Sequence, residues 1–308
     1  MWSKRFMSAS PILLSPASQP LDSLPPGLLP ARSHQPIHLP APLGRIGDLE
    51  LRLAEKVKDV KKAQRLRYKV FFEEMSAVPN VMARLARRDV DVFDHVCDHL
   101  LVRDHNRGLG IIQKKPKTVG TYRLLRQEVA ERHFGFYTQN EFDIAPLIAQ
   151  HAHLNFLELG RSCVLAPWRD RRTVELLWHG IWAYVLAHRI DVMIGCASLE
   201  GSNPAEHVLP LSYLHHFHRA PDAWHAEAQP EHRADIKLLP KDEIDPRAAL
   251  RALPPLIKGY LRLGAMIGDG AVIDRQFGTT DVLIVLPRAF INPRYINYYG
   301  ADATRHAA

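Results

Sequence analysis

The chain has 308 residues, 46% of them hydrophobic and 24% charged, which is enough apolar material for one large domain or two small ones. Forty Lys and Arg against 33 Asp and Glu leave a formal charge of +7, which suits an acidic partner: nucleic acid, an anionic membrane surface or an acidic protein. Three separated cysteines exclude a disulfide framework and a zinc ribbon, and no apolar run reaches the roughly 18 residues of a membrane span, so a reducing cytoplasm is expected.

Residues 1–45 are rich in Pro, Ser and Leu, as in "DSLPPGLLPARSHQPIHLPAP", and predict a disordered tail because repeated proline withholds backbone donors. Pro11 and Pro16 also interrupt any signal-like segment after Lys4 and Arg5. "LELRLA" then alternates as a half-buried strand. "VKDVKKAQRLRYKVFFEEM" follows as a basic helix with Val60, Ala63, Leu66 and Val70 at apolar positions. A loop, "RRDVDVFDHVCD", leads to strands in "DHLLVRD" and "KTVGTYRLL"; "RGLGII" between them reads as a hairpin turn, since it lacks the last glycine of a dinucleotide fingerprint.

Next come a strand, "LELGRSCV", and a helix with Val174, Leu177, Trp178, Ile181, Trp182 and Val185 at helical spacing. "IDVMIGCAS" predicts a second buried strand, Asn203 to His218 a His-rich helix, and "GAVIDRQF" with "TDVLIVLP" a closing strand pair. "LPPLIKGYLRLGA" is amphipathic and fits either a core helix or a membrane-facing patch. Hairpins before a βαβ unit imply an α/β fold with one mixed sheet and helices on both faces, as a single domain over residues 46–308.

The chemistry concentrates between Leu157 and Val185. Glu158 and Arg161 are three apart on one strand, so they point to opposite faces unless a bulge intervenes. Arg169, Arg171 and Arg172, with Thr173, open the following helix, whose free amides and dipole favour an anion. A phosphate seat and a solvated turn capped by Asp170 are both open readings. Cys163 reads as a small buried residue rather than a nucleophile. The histidines of "LSYLHHFHRAPDAWH" lack acidic or thiolate partners at a recognised spacing, and no metal site is expected.

"RLRYKVFFEEM", "RRDVDVFDHVCDHLLV", "VGTYRLL", "LELGRSCV", "LLWHGIWAYV", "DVMIGCAS" and "LPPLIKGYLRLGAMIGDGAVID", in this order, resemble the ornithine–acyl carrier protein N-acyltransferases that make lyso-ornithine lipid. That family is similar to the GNAT-like acyltransferases and, within them, to the acyl-homoserine-lactone synthases. Arg67 with Phe71, Asp91 with Asp94, and Arg123 followed by Glu158 and Arg161 carry the second likeness. The resemblance implies a GNAT-like fold and an amide-forming transfer of a 3-hydroxyacyl group from acyl carrier protein to the α-amine of L-ornithine. It implies no cofactor beyond the carrier's phosphopantetheine, and no nucleic-acid partner.

Within that implied reaction, Glu158 and Arg161 are the expected catalytic residues, with Glu158 as base. Asp91 and Asp94 are candidates for an ammonium of ornithine, Arg67 and Arg123 for its carboxylate, and Phe71 adjoins them. The aspartates fit equally well as turn caps. Phe156, Val192, Met193 and Ile194 are expected to line an acyl channel where two strands splay. The GNAT-type turn usually carries glycines before its helix, and "RDRRTV" has none. That departure argues against close wrapping of a coenzyme A pyrophosphate and fits a single phosphate. An acyl-homoserine-lactone synthase-like enzyme and a non-catalytic basic binding protein at a membrane or nucleic acid are the alternatives, and a lipid-precursor product brings peripheral membrane contact into view.

Overall fold

Hydrophobic alternation writes most of the sheet. The computed structural model describes residues 39, 41–75, 77–106 and 115–300. The turn expected in "RGLGII" and most of the expected tail lie outside these described residues. The tail boundary at 45 is too late, because Leu43 is buried and strand β1 (Gly44–Ile46) pairs antiparallel with β2 (Leu49–Leu53).

Helix α1 (Val57–Tyr68) continues through a widened π-helical turn, Lys69–Glu74, and a short α2 (Val81–Ala86) follows. Strands β3 (Asp98–Asp104) and β4 (Lys117–Arg126), both expected as strands, extend the sheet antiparallel. Between β4 and β6 (Phe156–Val164) lie α3 (Gln127–Ala130), a 3-10 turn at Tyr137–Asn140, β5 (Phe142–Asp143) and α4 (Ala145–Gln150), a stretch that the sequence reading left unassigned. Then come α5 (Arg171–Ala187), β7 (Val192–Glu200) and α6 (Val208–His218). The chain closes with β8 (Glu227–Ala228), α7 (Pro246–Ala252), α8 (Pro255–Leu263), β9 (Met266–Ile267), β10 (Val272–Asp274), β11 (Thr279–Pro287) and α9 (Pro293–Gly300).

Among the described residues the main sheet runs β1-β2-β3-β4-β6-β7-β11-β10, with β9 on β11, while β5 and β8 make a separate pair. Every neighbouring pair is antiparallel except β6 and β7. A Cβ on Gly180 of α5 would meet Leu51 and Leu100, whereas α1 packs Val60 and Ala63 against Leu101. Adjacent residues of β3 face opposite ways, so α5 and α1 cover opposite faces. Ile257 and Tyr260 of α8 are buried, so that amphipathic helix belongs to the core rather than to a membrane-facing patch.

Parallel pairing of β6 and β7 is brief: Phe156↔Val192, Leu157↔Met193 and Glu158↔Ile194. Beyond these rungs β6 continues beside β4 to Val164 and β7 continues beside β11 to Glu200, unpaired with each other. The sheet therefore splits into a wedge. Gly195 sits at its apex, where a Cβ would lie 2.3 Å from the Leu159 carbonyl oxygen. No side chain fits that approach.

Candidate active site

The wedge is flanked by the residues that the sequence singled out, and a bulge brings them to one face. Thr121 pairs with Cys163 but Arg123 pairs with Gly160, so β6 carries one extra residue opposite β4. Arg161 lies in that bulge with a left-handed backbone, φ 50°, an uncommon conformation for a side chain of this size. Arg161 and Glu158 consequently share the face of Arg123. The alternation rule alone would have separated them.

Glu158 is buried with its carboxylate held by the following turn. The Tyr137 amide donates to Oε2 at 2.7 Å, and the amide and hydroxyl of Thr138 donate to Oε1, each at 3.1 Å. Burial raises this carboxyl above its ordinary value, against the opposing pull of Arg123 and these donors. A narrow cleft lined by Cys97, Arg123, Leu125, Tyr137 and Gly160 opens beside it. A carboxylate of raised basicity at a cleft is suited to act as a general base.

Around it runs an ionic network. Arg67 donates through Nε to Asp89 at 2.7 Å, through its two terminal nitrogens to Asp94 at 2.7 Å each, and to the Asp89 carbonyl at 2.6 Å. Its side chain is 1% exposed. This corrects the expectation that Arg67 receives a substrate carboxylate: its donors are occupied inside the protein. Asp94 likewise accepts from Gln64 at 3.0 Å and exchanges cap hydrogen bonds with Asp91, closing the 3-10 turn Val92–His95. Burial alone would raise the Asp94 carboxyl, but Arg67 overcomes it and holds Asp94 well below the usual carboxylate range. Asp94 is thus a scaffold residue and not an ammonium ligand.

Arg123 donates to both oxygens of Asp91, at 2.7 and 2.6 Å, and its guanidinium lies over the rings of Phe93 and Tyr137. Arg161 is less committed. It makes one 3.3 Å hydrogen bond to Asp91, its Nε has no hydrogen bond and only a 3.7 Å ion pair with Asp89, and its side chain is 13% exposed. Its guanidinium stacks 5.0 Å from the Tyr137 ring centroid and 4.4 Å from that of Phe277. Phe71, from the widened turn after α1, meets Phe277 edge-on at 5.6 Å and supports that stack. Sequence reasoning missed Asp89, Tyr137, Thr138 and Phe277. Only Asp89 had a signal, as the first acid of "RRDVDVFD".

The basic turn keeps both of its readings. Asp170 caps α5 by accepting from the Thr173 amide at 2.9 Å, and Arg172 pairs with Asp170. Arg169 pairs with Glu74 and donates to the Val164 carbonyl, while Arg171, 85% exposed, reaches Tyr298 and Glu175. The Thr173 hydroxyl is fully buried, which corrects its expected part in phosphate contact. The channel lining also needs correction. Phe156, Val192 and Ile194 pack in one buried cluster and Met193 faces the other, all four at the closed end of the wedge. Cys163 is buried too, and burial pushes its thiol up, so it is a poor nucleophile.

Around this split sheet with its bulged β6 and buried carboxylate, residues 66–179 match the acetyltransferase (GNAT) domain family, which places the chain among acyltransferases of that class. A relative named L-ornithine N(alpha)-acyltransferase in Rhizobium meliloti (strain 1021) is 54% identical over 86% of this chain and 89% of its own. One of the same name in Brucella abortus (strain 2308) is 53% identical over 85% of this chain and 92% of its own. Among solved structures, FeeM, an N-acyl amino acid synthase from uncultured soil microbes, is similar with a TM-score of 0.45 and 9% identity, covering 80% of this chain and 98% of that one. The chain belongs to the L-ornithine N(alpha)-acyltransferase family.

Proposed function

We propose that the protein transfers a 3-hydroxyacyl group from acyl carrier protein to the α-amino group of L-ornithine, giving lyso-ornithine lipid, the first step towards ornithine lipid. The observation that carries this reading is the bulge of β6, which sets the Glu158 carboxylate and the Arg161 guanidinium on one face beside the wedge. The relatives' shared name supports ornithine as acceptor.

Glu158 takes a proton from the α-ammonium, and the freed amine attacks the thioester carbonyl. The tetrahedral oxyanion is met by backbone amides of β6 from Ser162 to Val164, whose edge towards β7 carries no strand pairing. As the tetrahedral intermediate collapses, the nitrogen gives up its second proton to the departing carrier thiolate, leaving the amide and the carrier thiol, and Glu158 returns its proton to solvent. Arg161, whose contacts to Asp89 and Asp91 are long at 3.7 and 3.3 Å, takes the carboxylate of ornithine. The pantetheine arm enters the wedge with its phosphate at the start of α5, where Arg169, Arg171 and Arg172 exchange their present partners for it. The alkyl chain lies in the gap beyond Gly195.

The net charge of +7 supports an acidic carrier as donor. Exposed Val81, Met82 and Leu85 on α2, beside Arg84 and Arg87, support peripheral contact with an anionic inner membrane face. Among the described residues, no helix is long and apolar enough to cross a membrane. The test is to offer the purified protein 3-hydroxyacyl carrier protein with a panel of amino acids and read products by mass spectrometry. Hydroxyacyl-ornithine is expected as the main product, and its absence while another amino acid is acylated overturns the acceptor assignment.

A further inference from the structure

Across the wedge from Arg161 the same face carries three carboxylates that the reaction above does not use. Glu141 follows the 3-10 turn Tyr137–Asn140, Asp274 ends β10, and Asp281 lies in β11 opposite Ser198 of β7. One oxygen of each comes within 4.8 Å of the others. Glu141 is 7% and Asp281 5% exposed, and Glu141 Oε2 and Asp281 Oδ1 have no hydrogen-bond partner. Burial and mutual repulsion push the Glu141 carboxyl up to about 8 and burial pushes the Asp281 carboxyl up to about 6, so the empty trio retains a proton and a cation seated among the three would displace it. Asp274 is better satisfied: its Oδ1 accepts from the amides of Gln276 and Phe277, at 2.8 and 2.9 Å, and so holds the turn that presents Phe277 to Arg161.

We propose that Glu141, Asp274 and Asp281 bind the side-chain ammonium of the acceptor amino acid, an assignment that rests on ornithine being the acceptor. An alkylammonium brings three N–H donors to three carboxylates. The turn from Tyr137 to Glu141 links the two ends of such a substrate, because its first amides hold Glu158 and its last residue supplies a carboxylate to the trio. Glu158 at the α-amine, Arg161 at the carboxylate and the trio at the side-chain ammonium then give each charge of ornithine a partner of opposite sign. A divalent cation is the rival occupant. Burial dominates the electrostatics of Glu141 and Asp281, with Arg161 a smaller positive influence on both, and a fixed positive charge disfavours a doubly charged ion more than a singly charged one.

The test compares ornithine with 2-aminopentanoic acid, which has the same chain without the terminal amine. Wild-type protein should prefer ornithine by about 30-fold or more in kcat/KM, the loss expected when a buried charge pair is left unmade. Asp281→Asn and Glu141→Gln should erase most of that preference, chiefly by raising the KM for ornithine. The preference is a ratio within one protein sample, so partial unfolding does not imitate its loss. If a variant does not fold, the wild-type ratio still decides, and equal use of the two acceptors overturns the proposal. An unchanged ratio in folded variants also overturns it, as does activity abolished by a chelator and restored by magnesium. Failure of the wild type to acylate ornithine is a separate result: it removes the acceptor assignment and this subsite with it.

Discussion

A carboxylate that is buried yet held by three donors can serve as a base or as a fastener for its loop, and Glu158 is placed to do both. Glu158→Gln should lower kcat by about a hundredfold or more, the range of general-base loss, and reduce thermal stability slightly, since a side-chain amide cannot satisfy all three donors. The pH profile separates the two roles. A base must be unprotonated, so wild-type kcat/KM should climb with pH about a midpoint above the ordinary 4.5, and the variant should lose that limb. Arg67 belongs to the other kind of residue. Arg67→Leu strands Asp89 and Asp94 in the interior without their counter-charge, at a cost of about 3–5 kcal/mol. That should lower Tm by roughly 10 °C for a domain of this size. Composition distinguishes neither role, because both residues are simply charged letters near other charged letters until packing says which donors are occupied.

Elements were more legible than contacts. Alternation marks β2, short apolar runs mark β3, β4, β6, β7 and β11, and the apolar spacing after Arg171 marks α5, because burial on one face enforces a period and burial on both faces, as in β11, gives a continuous run. The bulge at Arg161 left no such mark: an extra residue in a strand is specified by its partner strand, here β4, and not by its own alternation. The turn carrying Tyr137 and Thr138 was missed for a related reason, since its role is to satisfy a carboxylate that follows it in the chain by 20 residues or more. The wedge can be tested at its apex. Gly195→Ala forces a methyl against the Leu159 carbonyl oxygen, and such overpacking typically costs about 1–3 kcal/mol. Strand separation should change where the donor binds, so kcat/KM for the acyl carrier substrate should fall further than Tm suggests.

At the scale of the molecule, charge and topology cooperate. If the donor is the acidic carrier proposed above, a surplus of seven positive charges should accelerate its encounter over distances that salt screens. Raising ionic strength should therefore increase KM for the acyl carrier protein severalfold with kcat little altered, and a KM indifferent to salt would remove electrostatic steering from the account. The whole-chain charge was readable from composition, which by itself names no partner. Topology adds something that no residue count contains. Because β6 and β7 alone run side by side in the same direction, the chain leaving β6 has to travel back the length of the sheet before β7 can begin, and α5 makes that return journey. A return helix must start where the outgoing strand stops, which is the end at which the two strands part company. The connectivity thus parks a positive helix pole at the doorway of the gap before any arginine is chosen, and the side chains at 169, 171 and 172 only tune an address that the strand order had already assigned.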